Sequence, residues 1–213
     1  MEFSICITTL NDAKTVRDSL DSILSQLPEE SEVVVVDAGS TDGQLPILER
    51  YAAEGRIRLA IHKGCTRGRG RQIALQLAKG DNIISGLDTD DRILPGSLQK
   101  LVERYVKGEG LPIMKAGTVY IGKRGAVESI GWKDLYAGED ADFEARAREK
   151  GLLEPVDMTL QDSKVMRTYK RFERFRHHVR LFWAYAGIGI TPVTSWKSRW
   201  LWVLIKTLRK LSR

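Results

Sequence analysis

The chain has 213 residues, 42% apolar and 29% charged, which is typical of one folded domain or of one domain with an appendage. Two distant cysteines, Cys6 and Cys65, exclude a disulfide framework and a cysteine-ligated metal site. The net charge of +6 is unevenly divided: residues 164–213 hold 13 Lys+Arg and one acid, Glu173, a net of +12, which leaves −6 for residues 1–163. We therefore expect a mildly acidic main body and a strongly basic C-terminal segment.

Strands and helices alternate four times along the first half of the chain. β-branched and apolar runs predict the strands, and apolar residues at helical spacing predict the helices. In chain order these are strand Phe3–Thr9, helix Asp12–Gln26, strand Glu32–Asp37, helix Gly43–Gly55, strand Arg56–His62, helix Gly68–Lys79, strand Asn82–Leu87 and helix Pro95–Val106. The short connections predict a mostly parallel α/β sheet with helices on both faces.

The pattern is weaker after Gly108. Leu111–Ile121 predicts one or two strands, Gly122–Gly125 a turn and Asp140–Lys150 a helix. In parallel α/β sheets ligands bind outside the carboxyl ends of the strands, so the site is expected at that edge.

Three carboxylates follow the fourth predicted strand in the stretch L87-D88-T89-D90-D91. Carboxylate oxygens suit a hard divalent cation such as Mg²⁺ or Mn²⁺, which is commonly bound by protein carboxylates and substrate phosphates together. The alternative is an acidic turn in which Asp91 caps the next helix. The spacing alone does not decide between these two interpretations.

Two further stretches end near the same predicted edge. In V36-D37-A38-G39-S40 an acid at a strand end is followed by small residues that let a ligand approach the backbone. The stretch C65-T66-R67-G68-R69-G70-R71 suits a diphosphate at a helix N-terminus, or else is a solvated basic turn. It matches neither the Walker spacing nor the dinucleotide-binding fingerprint.

Five segments occur in an order and spacing that resemble the GT-A glycosyltransferases of glycosyltransferase family 2. They are SICITTLND, VVVVDAGSTDG, GRGRQIALQLAKG, IISGLDTDD and GW…GEDADFEARAREKG, and together they span about residues 3–151. The resemblance implies a GT-A, Rossmann-like fold. It also implies a nucleotide-diphosphate sugar donor, a divalent metal, Mg²⁺ or Mn²⁺, and inversion at the anomeric carbon.

The resemblance also implies roles for particular residues. Asp90 would be the principal metal ligand, with Asp88 and Asp91 in support. Asp140 would be the general base that deprotonates the acceptor hydroxyl, with Glu139 beside it, although acids at a helix N-terminus are also favourable for purely structural reasons. The implied nucleotide- and substrate-binding residues are Thr8, Thr9, Asp37, Arg67, Arg71, Asp88 and Trp132, the last of which is alternatively a core residue.

The basic segment has its own pattern. Residues 181–196 carry no charge but fall short of a membrane span. Trp196–Arg213 predicts an amphipathic helix with Trp and Leu on one side and Lys and Arg on the other, although Lys197 and Trp202 do not fit this pattern. This pattern predicts a helix lying in a membrane interface. Packing onto the catalytic domain and binding of nucleic acid are the alternatives; the acidic body argues against a nucleic-acid partner.

Together these features predict a metal-dependent, inverting glycosyltransferase with a catalytic domain at residues 1–163 and a membrane-interface segment at 164–213. The donor would be a UDP- or GDP-sugar and the acceptor a lipid-linked saccharide or a polyprenyl phosphate. Because Met1–Ile5 shows no signal-peptide pattern, we expect the protein on the cytoplasmic face of the membrane. The competing functions are a sugar-phosphate nucleotidyltransferase and a non-catalytic basic adaptor for membranes or nucleic acid.

Overall fold

The structure is a computed structural model that describes residues 2–108 and 110–162. The chain divides into two units, Met1–Tyr169 and Lys170–Arg213, and every described element belongs to the first. The predicted boundary at residue 163 and the predicted amphipathic helix lie outside the described residues. Among the described residues, no helix has the length and apolar content that a membrane crossing requires.

A seven-stranded sheet forms the centre of the first unit, in the order β3-β2-β1-β4-β7-β6-β8. Its strands are β1 (Phe3–Thr9), β2 (Ser31–Asp37), β3 (Arg58–Ile61), β4 (Asn82–Asp88), β6 (Ile113–Ala116), β7 (Val119–Lys123) and β8 (Leu153–Val156). β7 is antiparallel to both of its neighbours, and the other pairings are parallel. The predicted, mostly parallel α/β sheet is therefore confirmed. A separate two-stranded sheet pairs β5 (Arg92–Ile93) with β9 (Gln161–Asp162).

Six helices cover the two faces of the large sheet. They are α1 (Val16–Leu24), α2 (Gln44–Ala53), α3 (Arg67–Leu77), α4 (Ser97–Lys107), α5 (Arg124–Ile130) and α6 (Glu139–Glu149). α1, α2 and α4 contribute to one hydrophobic cluster, and α3, α5 and α6 contribute to the other.

The valine run in β2 separates these two clusters. Val33 and Val35 belong to the α1 side, Val34 and Val36 belong to the α3 side, and all four are buried. Successive strand side chains point to opposite faces, so a continuous apolar run is what a strand covered on both faces requires.

Two details differ from the sequence-based expectation. Helix α1 begins at Val16 rather than Asp12, because residues 13–15 form a turn in which the N–H groups of Thr15 and Val16 both donate to the carbonyl of Asp12. The predicted turn at Gly122–Gly125 is wrong: β7 runs to Lys123 and α5 follows at once. Arg124 anchors that junction by donating from Nε and Nη2 to the carbonyl of Gly80, at 3.0 and 2.6 Å.

Candidate active site

The carboxyl ends of three neighbouring strands meet at one edge of the sheet. β1 lies between β2 and β4, with Thr9 opposite Asp37 and Thr8 opposite Asp88. The strand-end residues that the sequence singled out are thus brought together as expected for a parallel sheet.

A β-bulge at Gly86 sets the direction of Asp88. The pairing with β1 shifts between Cys6 and Ile7, so that Ser85 and Leu87 lie opposite those consecutive residues and Gly86 is left over. Leu87 consequently packs in the α1-side cluster, as Ile84 does, and Asp88 faces the opposite side, where it meets Arg71 of α3. If the strand instead alternated regularly through Gly86, Asp88 would share the face of Ile84 and point towards α1.

Asp88, Asp90 and Asp91 form an acidic triad. Each offers a carboxylate oxygen, and these oxygens lie within 4.8 Å of one another. Asp88 and Asp90 are half-buried and Asp91 is buried. The side chains the sequence predicts as metal ligands therefore converge, and an all-oxygen set of this kind fits Mg²⁺ or Mn²⁺.

A buried polar network lies behind the triad, which we call the strand-end network. Its members come from the ends of β1, β2 and β4, the loops that follow them and the start of α2. They are the buried Thr9, Asp37, Ser40, Gln44 and Thr89 and the half-buried Asp12. Thr89, the middle residue of the acidic motif, donates to Asp12 Oδ2 at 2.5 Å and lies 2.7 Å from the hydroxyl of Thr9. The triad is thereby anchored from the interior of the fold.

Gln44 is a central member of this network that the sequence analysis did not identify. Its side chain is fully buried; Nε2 donates to Thr9, Asp37 and Ser40 at 2.9, 2.8 and 3.1 Å, and Oε1 accepts from the backbone N–H of Asp12 at 2.7 Å. A glutamine at a predicted helix start is not a signal by itself. The signal in the sequence that could have identified Gln44 is its position shortly after the strand-end stretch Asp37-Ala-Gly-Ser.

Asp12 was also not predicted as part of the site. Burial, together with the nearby Asp90 and Asp88 carboxylates, raises its pKa, although hydrogen bonds from Thr89 and Thr9 act in the opposite direction. The negative charge of the triad therefore also affects the carboxyl group of Asp12, which lies outside the triad.

The predicted nucleoside-binding residues sit within or beside this network. Asp37 accepts four hydrogen bonds, from the N–H groups of Gly39 and Ser40, the Ser40 hydroxyl and Gln44, at 2.6–2.8 Å. Thr8 is buried against α3, where a Cβ on Gly70 would lie 2.2 Å from its hydroxyl oxygen. The structure therefore gives Asp37 and Thr8 structural contacts, and their predicted contacts with a nucleoside stay predictions.

The arginine- and glycine-rich stretch forms the first turns of α3 rather than an open loop. Thr66 caps the helix by accepting from the N–H of Arg69 at 3.0 Å. Gly68 lets the helix approach the chain before α6 closely, since a Cβ there would lie 2.0 Å from the carbonyl oxygen of Lys133. The N-terminus of α3 is thus held against the segment that leads to the predicted base.

Arg67 and Arg71 have different environments in this helix. The Arg67 side chain is 43% exposed, with Nε 3.9 Å from Glu139 Oε1. Arg71 is only 4% exposed; its Nη2 lies 3.1 Å from Asp88 Oδ1 and its Nη1 lies 3.2 Å from Glu139 Oε1. Arg71 thus bridges the acidic triad and the start of α6.

Trp132 belongs to the core, as the alternative interpretation of that residue held. It is 5% exposed and stacks on Phe143 at a centroid distance of 4.3 Å, with Tyr120 packed edge-on against both rings. The Arg71 guanidinium lies 5.0 Å from the Trp132 ring centroid. The predicted contact of Trp132 with the substrate stays a prediction.

The two acids at the start of α6 differ in accessibility. Glu139 is buried, and burial raises its pKa despite the neighbouring Arg71 and Arg67. Asp140 is half-buried, and its Oδ1 accepts from the N–H of Ala141 at 2.8 Å. Of the two, Asp140 has the carboxylate that solvent, and so an acceptor hydroxyl, can reach.

Several contacts hold the segment before α6, residues 131–138, in place. Asp134 accepts from the Thr66 hydroxyl at 2.6 Å, and the Leu135 carbonyl accepts from the N–H of Gly68 at 3.0 Å. Lys133 and Arg146 donate to Asp142 at 2.8 and 2.7 Å. The distance between the triad side and the base side of the site is therefore fixed by packed structure.

Comparisons with known proteins agree with this geometry. A sequence model of the family "Glycosyl transferase family 2" matches residues 4–146. An uncharacterised protein of Mycobacterium tuberculosis is 30% identical over 162 residues, which cover 76% of this chain and 49% of that protein. The chain spans at most about half the length of the first curated relatives that it matches.

Two solved structures share the fold. Glucosyl-3-phosphoglycerate synthase from Mycobacterium tuberculosis, in complex with Mn²⁺, UDP and glucosyl-3-phosphoglycerate, aligns with a TM-score of 0.69 at 18% identity and covers 90% of this chain and 81% of its own. The mannosyltransferase PcManGT from Pyrobaculum calidifontis, in complex with GDP-Man and Mn²⁺, aligns with a TM-score of 0.69 at 19% identity. That alignment covers 87% of this chain and 63% of the mannosyltransferase chain.

The family match extends over the carboxyl ends of β1, β2 and β4 and over the start of α6, which are the parts that build the site. It favours glycosyl transfer over the nucleotidyltransferase and adaptor alternatives. The chain belongs to glycosyl transferase family 2.

Proposed function

We propose that this protein transfers a sugar from a nucleotide-diphosphate sugar, either a UDP-sugar or a GDP-sugar, and inverts the configuration at the anomeric carbon. The observation that carries the proposal is that one buried arginine, Arg71, contacts the acidic triad through Asp88 and the start of α6 through Glu139, the residue before Asp140. The UDP and GDP-Man complexes of the two structural neighbours are consistent with such a donor.

The triad is proposed to hold one divalent cation, Mg²⁺ or Mn²⁺, with Asp90 as principal ligand and Asp88 and Asp91 beside it. When bound, such an ion supplies Lewis-acid stabilisation of the negative charge that develops on the departing diphosphate. Arg67, at the exposed first turn of α3 and 3.9 Å from Glu139, adds a positive charge beside the start of α6.

Asp140 is proposed to accept the proton of the acceptor hydroxyl. The hydroxyl oxygen then forms a bond to the anomeric carbon on the face opposite the diphosphate. The bond from that carbon to the diphosphate oxygen breaks, and its electron pair stays on the leaving nucleotide diphosphate. Asp140 suits this role because it is half-buried at the N-terminus of α6, whose backbone is fixed by the contacts of residues 131–138.

The acceptor is proposed to be membrane-associated, a lipid-linked saccharide or a polyprenyl phosphate, reached from the cytoplasmic face. What supports this is the basic, tryptophan-rich sequence of residues 164–213, with its net charge of +12.

Donor recognition can be tested with a thermal-shift panel of UDP- and GDP-sugars, each measured with Mn²⁺, with Mg²⁺ and with EDTA. We expect one nucleotide series to raise the melting temperature in the presence of metal and to lose most of that effect in EDTA. Absence of a metal-dependent shift across the panel would contradict the proposal. Product formation from the best donor then tests transfer itself.

A further inference from the structure

Arg71 is the shared partner of two carboxylates, the half-buried Asp88 and the buried Glu139. Its Nη2 lies 3.1 Å from Asp88 in the triad, and its Nη1 lies 3.2 Å from Glu139 at the start of α6. The side chains of Arg71 and Glu139 are 4% and 2% exposed, so water screens their interaction little. The Trp132 ring, 5.0 Å from the guanidinium, packs on this pair.

This arrangement has a consequence for the charge of the triad. Arg71 alone would offset the negative charge of Asp88 and would weaken any cation site that uses it. Glu139 supplies a second negative charge to the same guanidinium and thereby restores the excess of negative charge around Asp88. Arg71 contacts both carboxylates and so links Glu139 to Asp88.

Glu139 is poorly placed to act on a substrate directly. Its Oε1 faces Arg71, and its Oε2 is buried and, among the described residues, has no hydrogen-bond partner. Burying a carboxylate with an unsatisfied oxygen is unfavourable for folding. Within the described part of the chain, the cations that pair with Glu139 are Arg71 and, more distantly, Arg67.

We propose that Glu139 is a positioning residue that acts through Arg71 to raise the affinity of the acidic triad for its divalent cation. This inference deepens the proposed function and rests on it, since the cation belongs to that proposal. It reassigns Glu139 from a neighbour of the general base to a residue that tunes the opposite side of the site.

The test measures Mn²⁺ binding to the full chain without nucleotide, by electron paramagnetic resonance of the free ion. Glu139→Gln, which keeps the size and removes the charge, should weaken Mn²⁺ binding by about three- to tenfold, the effect of one unit charge nearby at intermediate dielectric. UDP binding in EDTA should be unchanged or tighter, because the site has become more positive. A variant that had lost its folded structure would instead bind both Mn²⁺ and UDP more weakly.

A double-mutant cycle tests whether the effect passes through Arg71. Glu139→Gln should change Mn²⁺ affinity little in an Arg71→Met background. Glu139→Asp, which keeps the charge, should bind Mn²⁺ nearly as well as the unaltered chain, and it keeps the test valid if Glu139→Gln folds poorly. Glu144→Gln is the matched control, since Glu144 lies on the same helix but pairs with Lys115 and Arg148.

Unaltered Mn²⁺ affinity in Glu139→Gln, or an equal loss with and without Arg71, would overturn the inference and leave the proposed function intact. Absence of Mn²⁺ binding by the unaltered chain would instead contradict the metal part of the proposed function, and the inference with it.

Discussion

A Cβ atom on Gly86 would lie 2.0 Å from the carbonyl oxygen of Thr118, and the backbone of Gly86 has φ +86°. Both facts require glycine at the bulge that turns Asp88 towards Arg71. The direction of a proposed metal ligand therefore depends on a residue that bears no side chain.

Gly86→Ala should accordingly impair both folding and metal binding. The strained φ and the contact with Thr118 are expected to cost about 2–4 kcal/mol in the free energy of unfolding, measured by urea denaturation. Mn²⁺ binding should weaken beyond what partial unfolding explains. Gly117→Ala is the matched control: Gly117 also has a positive φ, of +60°, but a Cβ there meets nothing within 4 Å. Equal stability and metal affinity for the two variants would contradict the role of the bulge.

Gln44 should matter for stability because of the groups it satisfies. Gln44→Leu keeps much of the volume but leaves Asp37, Thr9 and the N–H of Asp12 short of partners in a buried region. We expect a loss of about 2–4 kcal/mol in the free energy of unfolding, since each unsatisfied buried group costs about 1–3 kcal/mol. Gln99→Leu, at an exposed position of α4, should cost little by the same measurement. A small effect of Gln44→Leu would mean that other groups can replace its hydrogen bonds.

The strand ends could be predicted from the sequence because their physical signals are local. The valine run before Asp37 and the apolar run before Asp88 identify buried strands, and parallel pairing then brings their carboxyl ends together. The acidic triad follows from the same reasoning, since its members are nearly adjacent in the chain.

The side-chain connections within the site could not be predicted in this way. Gly86 signals a possible bulge, but which face Asp88 then takes depends on its pairing with β1. The Arg71–Glu139 contact joins residues far apart in sequence, and nothing local marks either as the partner of the other. Strand β8 was missed because it contains Pro155, which an edge strand tolerates.

The contact of Asp142 with Lys133 and Arg146 predicts a pH dependence of stability. Burial acts to raise the pKa of Asp142, but the hydrogen bonds and charges of Lys133 and Arg146 prevail and lower it below its ordinary value of 3.8. A depressed carboxyl pKa contributes stability that is present above the ordinary value and is lost as the pH falls through the lowered value.

Asp142→Asn should therefore be less stable than the unaltered chain at pH 7, by about 1–3 kcal/mol, the range for hydrogen bonds to charged groups. The difference should shrink as the pH is lowered below 3.8, and chemical denaturation across the series measures it. Asp157→Asn, which removes a carboxylate at an exposed position, is the matched control. A gap that stays constant with pH would contradict the ion-pair explanation.

Asp140→Asn tests the proposed general base. The amide cannot accept the proton of the acceptor hydroxyl, so kcat should fall by about 10²–10⁴, whereas the affinity for the nucleotide should stay nearly the same. Steady-state kinetics with the donor found in the thermal-shift panel, together with nucleotide titration, separates the two effects. Asp157→Asn serves again as the matched control. Normal turnover by Asp140→Asn would assign the base elsewhere.

The basic C-terminal segment gives the last prediction, which concerns the membrane. On the predicted amphipathic helix Trp196–Arg213, Lys206, Arg209, Lys210 and Arg213 share the charged side. Each basic residue near an anionic surface contributes about 1 kcal/mol to membrane binding, so changing these four to glutamine should weaken it by roughly 10²–10³-fold.

Sedimentation of the full-length chain with vesicles measures this effect, and comparison of anionic with neutral lipids isolates its electrostatic part. Because the four substitutions leave the Trp and Leu residues in place, a variant that still binds anionic vesicles tightly would show that charge does not drive the attachment. Binding that is equal for neutral and anionic vesicles in the unaltered chain would contradict the interface interpretation itself. A clear loss that spares transfer to a soluble acceptor analogue would instead place the segment's role in reaching the acceptor rather than in the chemistry at Asp140.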